Sequence, residues 1–182
     1  MLGDKLMNKR FNKNAGFTLI ELMVIVIVLA VTLSLAVPAV QEMIKNNRVT
    51  GQTNEMLALV AFARNEAIRR NQNVTVALES TDDGWTAEVL DPLDEAGAEH
   101  CDAGVLRCAS HIRVELGLPE GADDSLDLVF NNRGYLEPFE DVAVSLEHVD
   151  CRANQFQRRL IRLRPTGQLE ACRAACGSEN CE

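Results

Sequence analysis

The chain has 182 residues, 47% apolar, 25% charged and only 4% aromatic, with six cysteines and a formal net charge of −9. That is sequence for one moderate core, and the acidic balance excludes general coating of nucleic acid, which needs a basic field. The apolar residues crowd toward the N-terminus while every cysteine lies after residue 100, a pattern that suits a membrane segment followed by a domain in an oxidising compartment.

Residues 1–16 carry Lys5, Lys9, Arg10 and Lys13 against Asp4, a side-chain charge of +3, which leaves −12 on residues 17–182. From Phe17 to Val37 only Thr18, Glu21, Thr32 and Ser34 interrupt the apolar run. As a helix those positions reach roughly 31 Å, close to the roughly 30 Å hydrocarbon thickness of a bilayer. Basic residues before a span hold that end in the cytoplasm, so the segment after Pro38 is expected on the far side. Cysteines there can persist as disulfides. Three kinds of segment fit this outline: a cleaved secretory signal with Ser34-Leu35-Ala36 as a weak cleavage site, a plain anchor, and a leader cut before Phe17. Glu21 separates them. A carboxylate deep in a span costs up to about 3 kcal/mol. If the chain is cut after Gly16, Glu21 lies in the first helical turn, where the dipole and a free amine at Phe17 both favour an anion.

Gly16-Phe17-Thr18-Leu19-Ile20-Glu21 closely resembles the processing site of type IV pilins and of the pseudopilins of type II secretion. The resemblance implies removal of the basic leader 1–16 by an inner-membrane prepilin peptidase and N-methylation of Phe17. It also implies that Glu21 pairs with the Phe17 amine of a neighbouring subunit during filament assembly. Partners are then other pilins or pseudopilins, met through the N-terminal helix. The expected location is the bacterial inner membrane, single-pass, with the N-terminus cytoplasmic and the head periplasmic, and then a pilus or pseudopilus. Pro38 sits where such proteins commonly have a helix-bending proline.

Beyond Pro38 the apolar steps stay helical. Met56, Leu57, Val60, Phe62, Ala63, Ala67 and Ile68 recur at three- and four-residue spacing and make one face. Glu42, Lys45, Asn46, Arg48, Gln52, Glu55, Arg64, Glu66, Arg69 and Arg70 fill the other positions. Residues 17–37 are thus read as a transmembrane and assembly helix, and 38–72 as its amphipathic continuation. Asn71-Gln72-Asn73 is the expected stop, and Val74–Leu78 the first strand. The stretch Asn65-Glu66-Ala67-Ile68-Arg69-Arg70-Asn71-Gln72 with that strand resembles the minor-pilin branch that includes the H-type pseudopilin and the FimT-like pilus-biogenesis proteins.

Residues 73–182 read as a β-rich head with a cysteine-rich tail. Asp82-Asp83-Gly84 before Trp85–Leu90 predicts a hairpin with the first strand. Residues 91–111 read as loop, with Asp91-Pro92, Gly97 and Gly104. Later strands are expected at Ile112–Leu116, Leu126–Phe130, Val142–Glu147 and Arg159–Arg164. Phe130–Leu136 and Leu163–Leu169 echo each other, each with a glycine, Gly134 or Gly167, between apolar strands, which suits a turn needing positive φ. The expected fold class is α+β: a long N-terminal helix, transmembrane then amphipathic, packed on an antiparallel β-sheet head.

Cys101, Cys108, Cys151, Cys172, Cys176 and Cys181 allow three disulfides in fifteen connectivities. Cys101, Cys108 and His111 with one tail cysteine could instead supply zinc ligands, but the spacing matches no strong pattern, so no metal and no cofactor is expected. His100, His111 and His148 have no nucleophile motif beside them, and no glycine-rich phosphate loop occurs. Asp123-Asp124 and Asp94-Glu95 lack the regular oxygen spacing of a calcium loop. An enzymatic role is not expected.

The basic exception is Arg152, Arg158, Arg159, Arg162, Arg164 and Arg173. On a strand, Arg158, Arg162 and Arg164 share a face opposite Ile161 and Leu163, and such a row could grip the phosphates of DNA. FimT-like relatives are implicated in DNA uptake through a Gly-Arg-x-Arg motif. Here the corresponding Gly167-Gln168-Leu169-Glu170 lacks both arginines. The leading expectation is a minor pilin or pseudopilin; the alternative is a DNA-binding minor pilin acting in natural transformation.

Overall fold

In a computed structural model of the chain the described residues are 17–91, 93, 101–153 and 155–181. The leader 1–16 with Gly16, and the loop positions Asp94, Glu95, Glu99 and His100, lie outside them. The elements run α1 (Leu19–Arg70), β1 (Val74–Thr81), β2 (Gly84–Leu90), β3 (Val105–Ile112), β4 (Val114–Gly117), β5 (Ser125–Phe130), β6 (Leu136–Glu137), β7 (Val142–His148), β8 (Arg158–Leu163) and β9 (Leu169–Ala174). The chain divides into two units, Met1–Gln41 and Glu42–Glu182.

In the first unit the described chain is almost wholly helical, with every residue from Phe17 to Gln41 exposed. The hydroxyls of Thr32 and Ser34 are satisfied by the helix itself. Thr32 donates to the carbonyls of Val28 and Leu29 at 3.0 and 2.9 Å, and Ser34 to that of Val31 at 2.7 Å. Hydroxyls bonded back in this way hide their polarity from lipid. Pro38 stands inside α1 and brings no amide hydrogen to the ladder.

In the second unit α1 turns Val49, Met56, Leu59, Val60, Ala63 and Ala67 into the core. Two positions of its expected polar face are buried as well. Gln52 is 8% exposed and Glu66 9%, because each finds polar partners inside. Trp85 Nε1 donates to Gln52 Oε1 at 3.0 Å, and Gln52 Nε2 donates to the Ile112 carbonyl at 3.3 Å. Glu66 accepts from Arg69 and Arg70, and Arg70 reaches on to Asp91 at 2.9 Å. Ile68, expected on the apolar face, is 47% exposed; it lies against Gly134 rather than among the core residues. The helix stops as the sequence predicts. Asn71 takes φ 55°, its N–H bonds the Ile68 carbonyl, and that of Gln72 bonds the Ala67 carbonyl, the paired closing bonds of a left-handed cap.

The head holds two antiparallel sheets, ordered β3-β2-β1-β5-β6 and β4-β7-β8-β9. The β1–β2 hairpin forms as expected, with Thr81 opposite Gly84. Residues 91–111, read as loop, are corrected: 105–112 form β3, paired with β2 from Gly84↔Ile112 to Leu90↔Val105. As an edge strand it keeps one flank in solvent and tolerates the polar Arg107 and Ser110. The strand expected at Ile112–Leu116 is two strands broken at Arg113, which takes φ 67°. There the chain passes from one sheet to the other. Arg113 N–H donates to the Asp83 carbonyl at 2.7 Å, and its carbonyl accepts from Val149 at 3.3 Å.

The two echoing segments are twin turns. Gly134 N–H bonds the Asn131 carbonyl and Asn131 N–H bonds the Tyr135 carbonyl; Gly167 with Arg164, and Arg164 with Gln168, repeat both bonds. Gly134 and Gly167 have φ 77° and 76°. Arg64 of α1 clamps the pair, donating to the carbonyls of Gly134 at 3.0 Å and Thr166 at 3.1 Å. The second turn leads into β9, which pairs with β8 from Leu163↔Leu169 to Arg158↔Ala174.

Of the fifteen connectivities the head adopts Cys101–Cys108, Cys151–Cys176 and Cys172–Cys181. The zinc alternative does not assemble. Cys101 and Cys108 are joined to each other, and His111 bonds Glu55 at 2.7 Å.

Candidate assembly site

The start of a helix leaves its first N–H groups without partners within the helix. Here Thr18 supplies one: its hydroxyl accepts from the N–H of Glu21 at 3.2 Å, and its carbonyl from that of Leu22 at 3.2 Å. Thr18 is therefore the N-cap and Glu21 the third helical residue, the spacing of a capping box. Thr18 was read in the sequence only as a polar interruption, although the Thr-x-x-Glu pattern carries the signal. Its effect is to fix the first turn on which Glu21 stands.

Glu21 is exposed, and it is the only charged residue from Phe17 to Gln41. No group among the described residues pairs with its carboxylate. Around and beyond it the side chains are apolar and open, Phe17 at 77% exposure and Leu19 at 78%, continuing through Leu35 and Val37. Among the described residues α1 is the one helix long and apolar enough to cross a membrane. The arrangement offers a greasy surface for lipid or other helices with a single anion at its start. Gly16 lies outside the described residues.

The other candidate was the arginine row on β8. Arg158 and Arg162 share its outer face and Arg164 follows it in the turn, but two of the three are already neutralised. Arg158 pairs with Glu147 at 3.0 Å, and Arg164 with Glu170 at 3.2 Å. The Glu170 hydrogen bond raises the Arg164 pKa above its ordinary value. Arg162 is exposed and has no partner among the described residues. Arg159 turns inward, donating to Asn46 and Thr50 of α1 at 2.8 and 3.0 Å. A phosphate-gripping row is thus reduced to one guanidinium, with Glu170 beside it.

Glu147 also lies near Cys151 and Cys176, with one carboxylate oxygen and the two sulfurs all within 4.8 Å of one another. The sulfurs are bonded to each other, so the thiolates a soft metal needs are not there.

The family model described as "Type II transport protein GspH" matches residues 52–167, more than half of the chain. A second model, "Prokaryotic N-terminal methylation motif", matches residues 11–37 and so takes in Gly16, Phe17 and Glu21. No curated protein matches the chain by sequence. The crystal structure of the type IV minor pilin FimU of Pseudomonas aeruginosa in space group P21 has the same fold, with TM-score 0.50, 15% identity, and coverage of 68% of this chain and 87% of that one. In space group P65 the same protein gives TM-score 0.48 at 15% identity, over 67% and 90%.

Proposed function

Because the chain belongs to the GspH family of type II transport proteins, we propose that it is a minor pilin or pseudopilin, a structural subunit of a type IV pilus or a type II secretion pseudopilus. It is made as a precursor in the inner membrane with the leader inside and the head in the periplasm. Prepilin peptidase cuts it after Gly16, Phe17 is methylated, and the helix then exchanges lipid for neighbouring helices.

One observation carries this reading: a carboxylate, Glu21, without a partner among the described residues, on the capped first turn of a helix that is otherwise uncharged and exposed as far as Gln41. A static anchor has no use for that charge, whose place in a membrane is costly. A subunit that must register against others does. The amine of Phe17 on a neighbouring copy or paralogue is the partner that would neutralise it.

Mass spectrometry of the mature N-terminus tests the processing step. N-methylated Phe17 is expected, and an intact leader would refute the proposal. Gly16→Leu should leave the precursor uncut. Glu21→Ala should still fractionate with the membrane and be cut, yet be depleted from sheared filaments or from crosslinks to other subunits. Normal incorporation of that variant would remove the register role.

A further inference from the structure

The arginines of the head sort into two kinds. Arg69, Arg70, Arg158 and Arg164 are paired with carboxylates, and Arg64 and Arg107 are occupied by turn carbonyls and the Phe62 ring. The others have no carboxylate partner among the described residues: Arg159 is held by Asn46, Thr50 and the carbonyls of Phe156 and Arg158, and Arg173 lies over the Phe156 ring, while Arg48, Arg113 and Arg152 make no such contact, with Arg133 and Arg162 apart from these five.

The five are spread around the base of the head, where the chain joins it at Glu42, from opposite edges of the second sheet, Arg113 before β4 and Arg173 on β9. Lys45, Arg48 and Arg113 all act on the His148 ring. Arg159 holds Asn46 and Thr50 of α1, and Arg173 stands opposite Arg159 in the β8–β9 register. Burial and the charge of Arg173 both lower the Arg159 pKa, as expected where cations face each other without an anion. Arg152 follows Cys151, two residues beyond Asp150, the partner of Lys45. The acids nearby are fewer. Glu42 and Asp150 share Lys45, and Asp82, Asp83 and Glu115 line a shallow recess with Arg113. The base is therefore slightly positive in a chain that carries −12 beyond its leader.

Only four residues separate Val37 from Glu42, so five residue steps can hold Glu42 no farther than roughly 18 Å from the end of the span. The headgroup layer takes up roughly 5–8 Å of that, and long cationic side chains take up more. We propose that the base of the head is a docking surface for anionic phospholipid headgroups, with Arg48, Arg113 and Arg173 contacting lipid phosphates and orienting the head before assembly. The proposal rests on the membrane-anchored reading above. Guanidinium groups suit phosphate because they can donate two parallel hydrogen bonds to it. The acidic remainder of the head is repelled by the same surface, so attraction and repulsion select one orientation.

The test reconstitutes the full chain in vesicles of phosphatidylcholine alone and of equal parts phosphatidylcholine and phosphatidylglycerol, each with a trace of dansyl-headgroup lipid. Energy transfer from Trp85, the single tryptophan, reports the approach of the head, and flotation reports anchoring. Flotation is expected in both, with greater transfer in the anionic vesicles and loss of that gain at high salt. Each unpaired arginine should contribute roughly fivefold to the docked-to-free ratio. R48Q/R113Q/R173Q should abolish the gain, while R48K/R113K/R173K and the remote R133Q/R162Q keep it. Equal transfer in the two vesicle types, or equal loss in R133Q/R162Q, would overturn the proposal. Failure to float on phosphatidylcholine would overturn the membrane reading itself, and the docking surface with it.

Discussion

His148 shows how a single buried ring ties stability to acidity. Its side chain is 3% exposed, and Nδ1 accepts from the Asp150 N–H at 3.1 Å, so the ring is held neutral. Burial lowers its pKa from 6.5; Asp150 opposes the shift, and Lys45, Arg48 and Arg113 reinforce it. The unfolded chain takes up a proton near 6.5 that the folded head refuses. The contribution of His148 is therefore complete above that value and is lost as pH falls through the lowered folded value. Urea midpoints measured at about pH 7.5 and about pH 5 should drop with acid, and His148→Gln should flatten the drop. Glu66 belongs to a lower window: first the Arg69 hydrogen bond and then Arg70 hold it below 4.5 against the opposing cost of burial. Its stabilisation persists until the pH falls through that lowered value. Neither role was visible in the chain. A lone histidine reads as surface, and Glu66 at its helical position reads as solvated, because the partners that make burial tolerable come from tertiary structure.

Helix α1 and the β1–β2 hairpin were legible because both rest on local signals, apolar period and turn residues. The Asn71 cap fell on the expected stop, and the twin glycine turns stood where the echo put them. Strand β3 was not seen, and β6 and β9 were expected only as strands following the two glycine turns, without bounds. Leu136–Glu137 is too short to show a period, and Leu169–Ala174 and Val105–Ile112 are edge strands whose mixed residues reflect one solvated flank. The break at Arg113 was equally hidden, since a positive φ at a residue other than glycine is dictated by neighbours. Gln52 joins these elements. It bridges Trp85 of β2 to the end of β3, so Gln52→Leu would leave the buried Trp85 indole N–H unbonded and free the Ile112 carbonyl at the surface. A loss of about 1–3 kcal/mol is expected. Denaturation followed by Trp85 fluorescence would measure it.

The six cysteines announced three bridges, but their pairing depends on which strands meet. Cys151–Cys176 closes a separation of 25 residues, against 7 for Cys101–Cys108 and 9 for Cys172–Cys181. On loop entropy alone the first is worth about 3.5 kcal/mol and the others about 2.5 kcal/mol each. The double variant C151A/C176A should therefore lower thermal stability more than C101A/C108A; the reverse order in calorimetry would contradict the entropic account. The candidate site divides in the same way. Glu21 was legible because a charge in an apolar run is anomalous in the sequence itself, whereas the neutralisation of Arg158 and Arg164 depends on Glu147 and Glu170, brought to them across strands.

The Arg64 clamp has a practical corollary for anyone wishing to follow this protein in cells. Because one guanidinium grips a carbonyl in each twin turn, and a Cβ at Gly167 would strike its side chain while one at Gly134 would strike Ile68 and crowd the Arg64 side chain, neither loop can host an epitope without dislodging the other. Gly121 is different: it turns at φ 88° with nothing within 4 Å of an added Cβ. A short tag placed there should yield a folded-protein signal in immunoblots at wild-type abundance, while the same peptide placed at Gly134 or Gly167 should bring degradation.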